Sequence, residues 1–301
     1  MRGTLHVLPL QLGASCLALM ASARSWEKAS WQRTFVTAAE LETIAQAVHG
    51  ALGNRVLTRE QLVHEVLERT GDPDVADHLR SGWGAVLKPL AWQGLLCNGP
   101  SAGGNVTFTR PDTYFDQWPG LPDPADAARL VILTYLAAFG PVRAEIFDAW
   151  LSRGATRRAT LRQWFESLEG DVIEVDVEGT KALARACDVE EMAATPPSSA
   201  VRLLPGFDQY VLAPGTKDAH ILSPTRRSQV SRAAGWISPV VVASGRIVGT
   251  WEHDGNRLVV TPFDDSGLVS TDALESETHR VSRATGSVLT LAVNTANSAK
   301  A

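Results

Sequence analysis

The side chains best suited to chemistry in this sequence are arginines. Arg157, Arg158 and Arg162 fall close together, and Arg158 and Arg162 stand one helical turn apart. Between Arg143 and Phe165 there are five arginines against two acids, Glu145 and Asp148. A second excess lies between Val201 and Val260, where seven basic residues, Arg226, Arg227 and Arg232 among them, face four acids. The guanidinium is a planar fork of donors that matches phosphate oxygens, so both clusters are candidate phosphate contacts. Other chemistry is sparse. The seven histidines are scattered, with no His-x-x-x-His pair. Cys16, Cys97 and Cys187 are odd in number and far apart, which suggests neither a disulfide framework nor a zinc motif. No glycine-rich phosphate loop and no Gly-x-Ser-x-Gly elbow occurs. Asp208, beside a turn glycine and a tyrosine, is either a turn-former or an active-site acid, and the first role is the commoner one. No catalytic residue, metal or cofactor is therefore expected.

These arginines need elements to hold them. Thr156 is expected to start a helix over 157–168, with Arg157, Arg158 and Arg162 at and just past its N-terminus. Two helices precede it. One opens on Asp123-Pro124, and the other spans 143–151 after Gly140-Pro141. A strand over 171–177 follows. Upstream, Thr37 with Glu40 and Thr58 with Gln61 are capping-box pairs that open two more helices. Asp72-Pro73 is expected to open a third, carrying Trp83, Val86, Leu87, Leu90 and Leu95. Trp83 and Trp92 are read as core, and Lys88 as a solvated lysine that can reach phosphate. The strand pair LLCNG and NVTFT closes that region around a turn over 100–105.

The last third is organised by LLPGFDQYVL and GWISPVVVASGRIVGTWEHDGNRLVVTPF. A short strand is expected around Tyr210 to Leu212. Three β-rich runs follow, separated by the hairpin dipeptides Ser244-Gly245 and Asp254-Gly255. Gly249 is read as a place where another backbone or an aromatic face comes close. Arg226 and Arg227 are expected on an exposed turn after Pro224. A helix over 271–283 and a closing strand over 288–293 complete an antiparallel sheet with one helix on it. The fold class is α+β: tandem winged helix-turn-helix domains followed by a small antiparallel β-rich C-terminal domain. The expected divisions are 1–36, 37–120, 121–200 and 201–294, with a disordered tail at 295–301.

LLPGFDQYVL with GWISPVVVASGRIVGTW resembles the C-terminal signature of a bacterial winged-helix DNA-binding family that includes the AlkZ-like crosslink-repair DNA glycosylases. MRGTLHVLP at 1–9, WQGLLCNGPSAGGNVTFTRPDTYF at 92–115 and YLAAFGPVRAEIFDAWL at 135–151 resemble the same family, in family order. The resemblance implies double-stranded DNA as partner. It also implies a water, oriented by a catalytic Gln-x-Gln pair, that attacks the anomeric carbon of an alkylated purine nucleotide. The cationic base leaves readily, so electrostatic stabilisation and water placement carry the reaction. No Gln-x-Gln pair occurs in these 301 residues. His6 resembles a family position lining the first wing, and 1–36 resembles the remnant of a first winged helix. That remnant would leave Leu5, Val7 and Leu17 uncovered and favour self-association.

Composition sets bounds on this reading. Net charge is −5 and the isoelectric point about 5.8, so binding to nucleic acid must rest on local basic faces. Cysteine usage suits a reducing cytoplasm. No apolar run suits a membrane span. Residues 1–23 end on Ala-Ser-Ala, as an export signal would, but His6, Pro9 and Gln11 interrupt the apolar stretch. The alternatives to a glycosylase-like DNA binder are a non-catalytic regulator that reads a groove and an interaction module.

Overall fold

The structure is a computed structural model that describes residues 6–80, 84–264 and 269–294. Leu5, Trp83 and the tail over 295–301 lie outside the described residues. Two compact units emerge, 1–186 and 187–301.

The first unit begins with α1 (Leu10–Ser22) and α2 (Ala29–Thr34). It continues through α3 (Ala38–Leu52), β1 (Leu57–Thr58), α4 (Arg59–Thr70), α5 (Pro73–Arg80) and α6 (Leu87–Trp92). Then come β2 (Cys97–Asn98), β3 (Thr107–Thr109) and α7 (Pro111–Tyr114). Both capping boxes form as their spacing requires. Thr37 accepts from the Glu40 N–H and Thr58 from the Gln61 N–H, while each N3 side chain reaches back to its cap. Leu41, Ile44, Ala45, Val48 and Leu52 recur at helical spacing and are buried, so α3 becomes the floor of one core with Leu62, Val66, Leu90 and Phe108. Strands β1, β3 and β2 form a small antiparallel sheet in that order. The single helix expected after Asp72-Pro73 is instead two, α5 and α6, and Leu95 lies beyond the second. Helix α1 packs on α6 and α8, burying Ala14, Cys16, Leu19 and Met20. Burial pushes the Cys16 thiol up to about 12, so it behaves as a small apolar side chain. Leu17 is half-buried and Val7 fully exposed.

The same unit closes with α8 (Pro124–Phe139), α9 (Ala144–Leu151), α10 (Arg158–Glu166) and the hairpin of β4 (Val172–Val177) with β5 (Thr180–Arg185). Asp123 caps α8 through the Ala125 N–H, and Pro124 takes N1, where a missing N–H costs nothing. Helix α9 starts one residue later than expected, with Arg143 as its cap.

The second unit holds α11 (Val189–Ala194), β6 (Val201–Leu204), α12 (Gln209–Leu212) and α13 (Arg227–Val230). Next come β7 (Val240–Ala243), β8 (Arg246–Asp254), β9 (Arg257–Pro262), α14 (Thr271–Thr285) and β10 (Thr290–Val293). The strand expected around Tyr210 is a helical turn, because Asp208 turns the chain by accepting from the Tyr210 N–H at 2.8 Å. The strand lies earlier, at β6. The sheet order is β10-β9-β8-β7-β6, and it is not wholly antiparallel, since β10 runs parallel to β9. Helix α14 carries the chain back across the sheet between those two strands, which is what a parallel neighbour requires.

Gly249 holds the position its type suggests. A Cβ there would lie 2.7 Å from the Thr261 carbonyl oxygen, beside an irregularity in the β7–β8 register. The backbone of β9 cannot withdraw without breaking the ladder. Gly249→Ala is expected to destabilise the second unit by roughly 1–3 kcal/mol, the usual cost of overpacking, read as a lowered urea midpoint at unchanged slope. An unchanged midpoint would show that β9 yields.

Candidate nucleic-acid interface

The arginine helix is positioned by its apolar side. Leu161, Trp164 and Leu168 are buried, and Phe165 meets Phe147 edge-on at 5.7 Å between ring centroids. Phe147 in turn meets Tyr135 at 5.2 Å, tying α10 to α9 and α8. With that side committed, Arg158 and Arg162 are turned to an exposed flank, and Arg157 is exposed at the cap. Arg157, Arg158 and Arg162 are therefore all exposed at or just past the start of α10. Helix α10 has no acid in its first turn and no side-chain cap, so its leading N–H groups and the arginines face solvent together. Arg162 lies 3.8 Å from Glu166, with both side chains about 70% exposed. Such a pair is weak and easily exchanged for phosphate.

Thr156 does not start the helix. It is buried beside Ser152, whose hydroxyl donates to Asp148 at 2.5 Å and accepts from the N–H groups of Ala155 and Thr156. Arg157 takes the cap in its place. This knot fixes the loop 152–157 that leads into the arginine helix. It also holds Arg153 in the left-handed region at φ 63°.

The second cluster divides. Arg227 and Arg232 are exposed, as expected. Arg226 is not on an open turn. Its guanidinium lies over the Phe263 ring at 5.5 Å and 3.7 Å from Asp264, and its side chain is only 18% exposed. It is committed to packing, because two partners some forty residues downstream fold onto it. Asp208 is the cap of α12, the turn-former of the two roles. His6 is half-buried just ahead of α1. Among the described residues no group of three His, Cys, Asp or Glu is placed to hold a metal, and no helix is long and apolar enough to cross a membrane.

The sequence reading missed a concave site in the first unit. Lys88 and Arg153 line a cavity of about 230 Å³ together with Trp31, Phe35 and Trp92. Trp92, read as core, is half-buried and forms one wall. The signal available beforehand was three aromatic residues at 31, 35 and 92 near lone cations, and nothing local joins them.

Comparison with known proteins places this architecture. A solved structure, the Streptomyces sahachiroi DNA glycosylase AlkZ, superposes with a TM-score of 0.93 at 47% identity, over 98% of this chain and 80% of that one. The chain thus shares the mixed helix-and-sheet architecture of that DNA glycosylase. An interstrand DNA cross-link repair glycosylase of Streptomyces sahachiroi is 49% identical over 288 residues, 95% of this chain and 78% of that protein. The family description DNA glycosylase AlkZ-like matches residues 1–284, and the chain belongs to that family.

Proposed function

We propose that this chain is a DNA-binding protein of tandem winged helices that holds damaged double-stranded DNA, similar to crosslink-repair glycosylases. The observation that carries the reading is the exposure of Arg157, Arg158 and Arg162 at the start of α10, a helix start with no side-chain cap and no acid in its first turn. Helices with a small antiparallel sheet occur twice in the first unit, four helices and three strands over 38–109 and three helices and a hairpin over 124–185, and we take each as a winged helix. In such units the last helix and the wing meet the duplex. Arg227 and Arg232 add point charges in the second unit. The partner reading is supported by the relatives, whose names describe DNA glycosylases. Because no Gln-x-Gln pair occurs in these 301 residues, the proposal assigns them binding and not base excision.

Two measurements test this. Anisotropy titrations of a 20-base-pair duplex, repeated across salt concentrations, are expected to show binding that weakens steeply with salt. Incubation with a duplex carrying N7-methylguanine is expected to release no free base. Release of the base would overturn the non-catalytic part of the reading. Absence of duplex binding at low salt would overturn the whole of it and favour an interaction module.

A further inference from the structure

We propose that the cavity between α2, α6 and the loop after α9 is a binding site for a single nucleotide, its base against Trp31, Phe35 and Trp92 and its phosphate between Lys88 and Arg153. The inference rests on the duplex-binding reading and deepens it, because the nucleotide it fits best is one displaced from a damaged duplex.

The walls provide both halves of a nucleotide's chemistry. Trp31 and Phe35 lie one helical turn apart with ring centroids 5.0 Å apart, and Phe35 is 39% exposed. Trp92 faces the same space from α6, steadied from behind by Trp26 at 6.2 Å. Bases stack on such faces whatever their identity. Lys88 and Arg153 supply the charge, and no carboxylate is among the described residues that line the cavity. Lys28 adds a third cation at the rim, its ammonium 3.4 Å from the carbonyl of the lining residue Ala155. Lys88 and Arg153 thus face aromatic walls with no acid among the described lining residues, in a chain of net charge −5.

The charge is also under tension. Burial lowers the Lys88 pKa, and the nearby Arg153 charge lowers it further. A phosphate between them supplies the opposite charge that favours the protonated lysine and offsets the Arg153 repulsion. Arg153 is held at positive φ by the Ser152 knot, and Gly154 follows at φ 77°. A residue held in a sparsely populated conformation at the mouth of a cavity is what a preorganised site shows. Size sets the limit. At about 230 Å³ the cavity is smaller than the ~300–1,000 Å³ usual for drug-sized ligands, so it admits one base and its phosphate but no stacked pair. The loop 152–157, which gives Ser152, Arg153 and Ala155 to the cavity wall, leads directly into α10.

The test uses the full chain and two duplexes of one sequence. One is fully paired, and the other carries a 2-aminopurine nucleotide opposite an abasic position. Adenosine 5′-monophosphate serves as the free nucleotide. The unpaired duplex is expected to bind about tenfold tighter than the paired one, with quenched 2-aminopurine fluorescence as the base stacks. Lys88→Gln/Arg153→Gln is expected to abolish that preference while leaving the paired duplex within about twofold. Phe35→Ala is expected to remove the quenching. Saturable binding of adenosine monophosphate that the double variant abolishes, with no preference between duplexes, would support the site with a free nucleotide as its source. Equal binding of both duplexes with no monophosphate binding would overturn the cavity and leave the duplex reading intact. So would a double variant that weakens both duplexes alike.

Discussion

Arg157→Gln/Arg158→Gln/Arg162→Gln lowers affinity for duplex DNA about a hundredfold at 0.15 M salt. The magnitude follows from counterion release. Each phosphate neutralised contributes about 0.9 to the slope of log K against log salt, so three contacts contribute about 2.7. At 0.15 M that slope corresponds to roughly two decades of affinity. The variant should also show a slope shallower by about 2.7, a signature that misfolding does not mimic. All three residues are exposed, so the melting temperature should hold. Arg226→Gln is the internal control. Its guanidinium is occupied by Phe263 and Asp264, so it should cost stability and leave the salt slope unchanged. An unchanged slope in the triple variant would remove α10 from the interface and leave Arg227 and Arg232 to be tested next.

Glu277→Ala is expected to lower the stability of the second unit by about 2 kcal/mol, or roughly 10 °C in thermal midpoint for a unit of this size. The carboxylate is only 7% exposed and accepts from the Leu203 N–H at 3.1 Å. Arg280 grips it at 2.8 Å and Arg202 at 3.4 Å. Through these contacts α14 is fastened to β6. The arginines are about half exposed, so water takes over part of their charge when Glu277 is lost. The cost therefore stays below the 3–5 kcal/mol of a fully buried broken pair. Glu277→Gln keeps an acceptor for Leu203 and should recover part of the loss. The pH dependence has a definite sign. Burial pushes the Glu277 pKa up, but the Arg280 and Leu203 hydrogen bonds and the two arginine charges outweigh it and hold the carboxyl below its usual range. A depressed carboxylate stabilises the fold above its unfolded value of about 4.3 and loses that contribution as pH falls through the folded value. The difference between wild type and Glu277→Ala should thus be full at pH 7 and shrink below about pH 4. Calorimetry of both proteins across that range decides it. A difference that does not change with pH would mean that packing rather than charge is lost.

Much of the local structure was legible in residue order. Thr37 with Glu40, Thr58 with Gln61 and Asp123 with Pro124 marked three helix starts, because a cap and its partner lie within three residues. Ser244-Gly245 marked the β7–β8 hairpin, where both residues take positive φ. Gly249 was recognised as a close-approach position, though Thr261 as the neighbour was not. The misreadings share one cause. Asp72-Pro73 announced a helix start correctly, but where that helix stops is set by packing, and the stretch became α5 and α6. Thr156 resembled a cap but is held instead by Ser152, whose hydroxyl donates to Asp148. The acidic stretch leading into α14 gave no sign that Glu277 would be buried, since Arg202 and Leu203 lie more than seventy residues before it.

The sequence by itself determined the family, the α+β class and the arginine face of α10. Each depends on runs of neighbouring residues whose spacing survives without the fold. The tertiary structure alone decided that Arg226 serves packing, that β10 runs parallel to β9, and that Lys88 and Arg153 line one cavity with Trp31, Phe35 and Trp92. Those outcomes depend on residues distant in the chain meeting across a core. Such meetings are set by which apolar faces bury each other, and a local pattern of charges and aromatics does not record them.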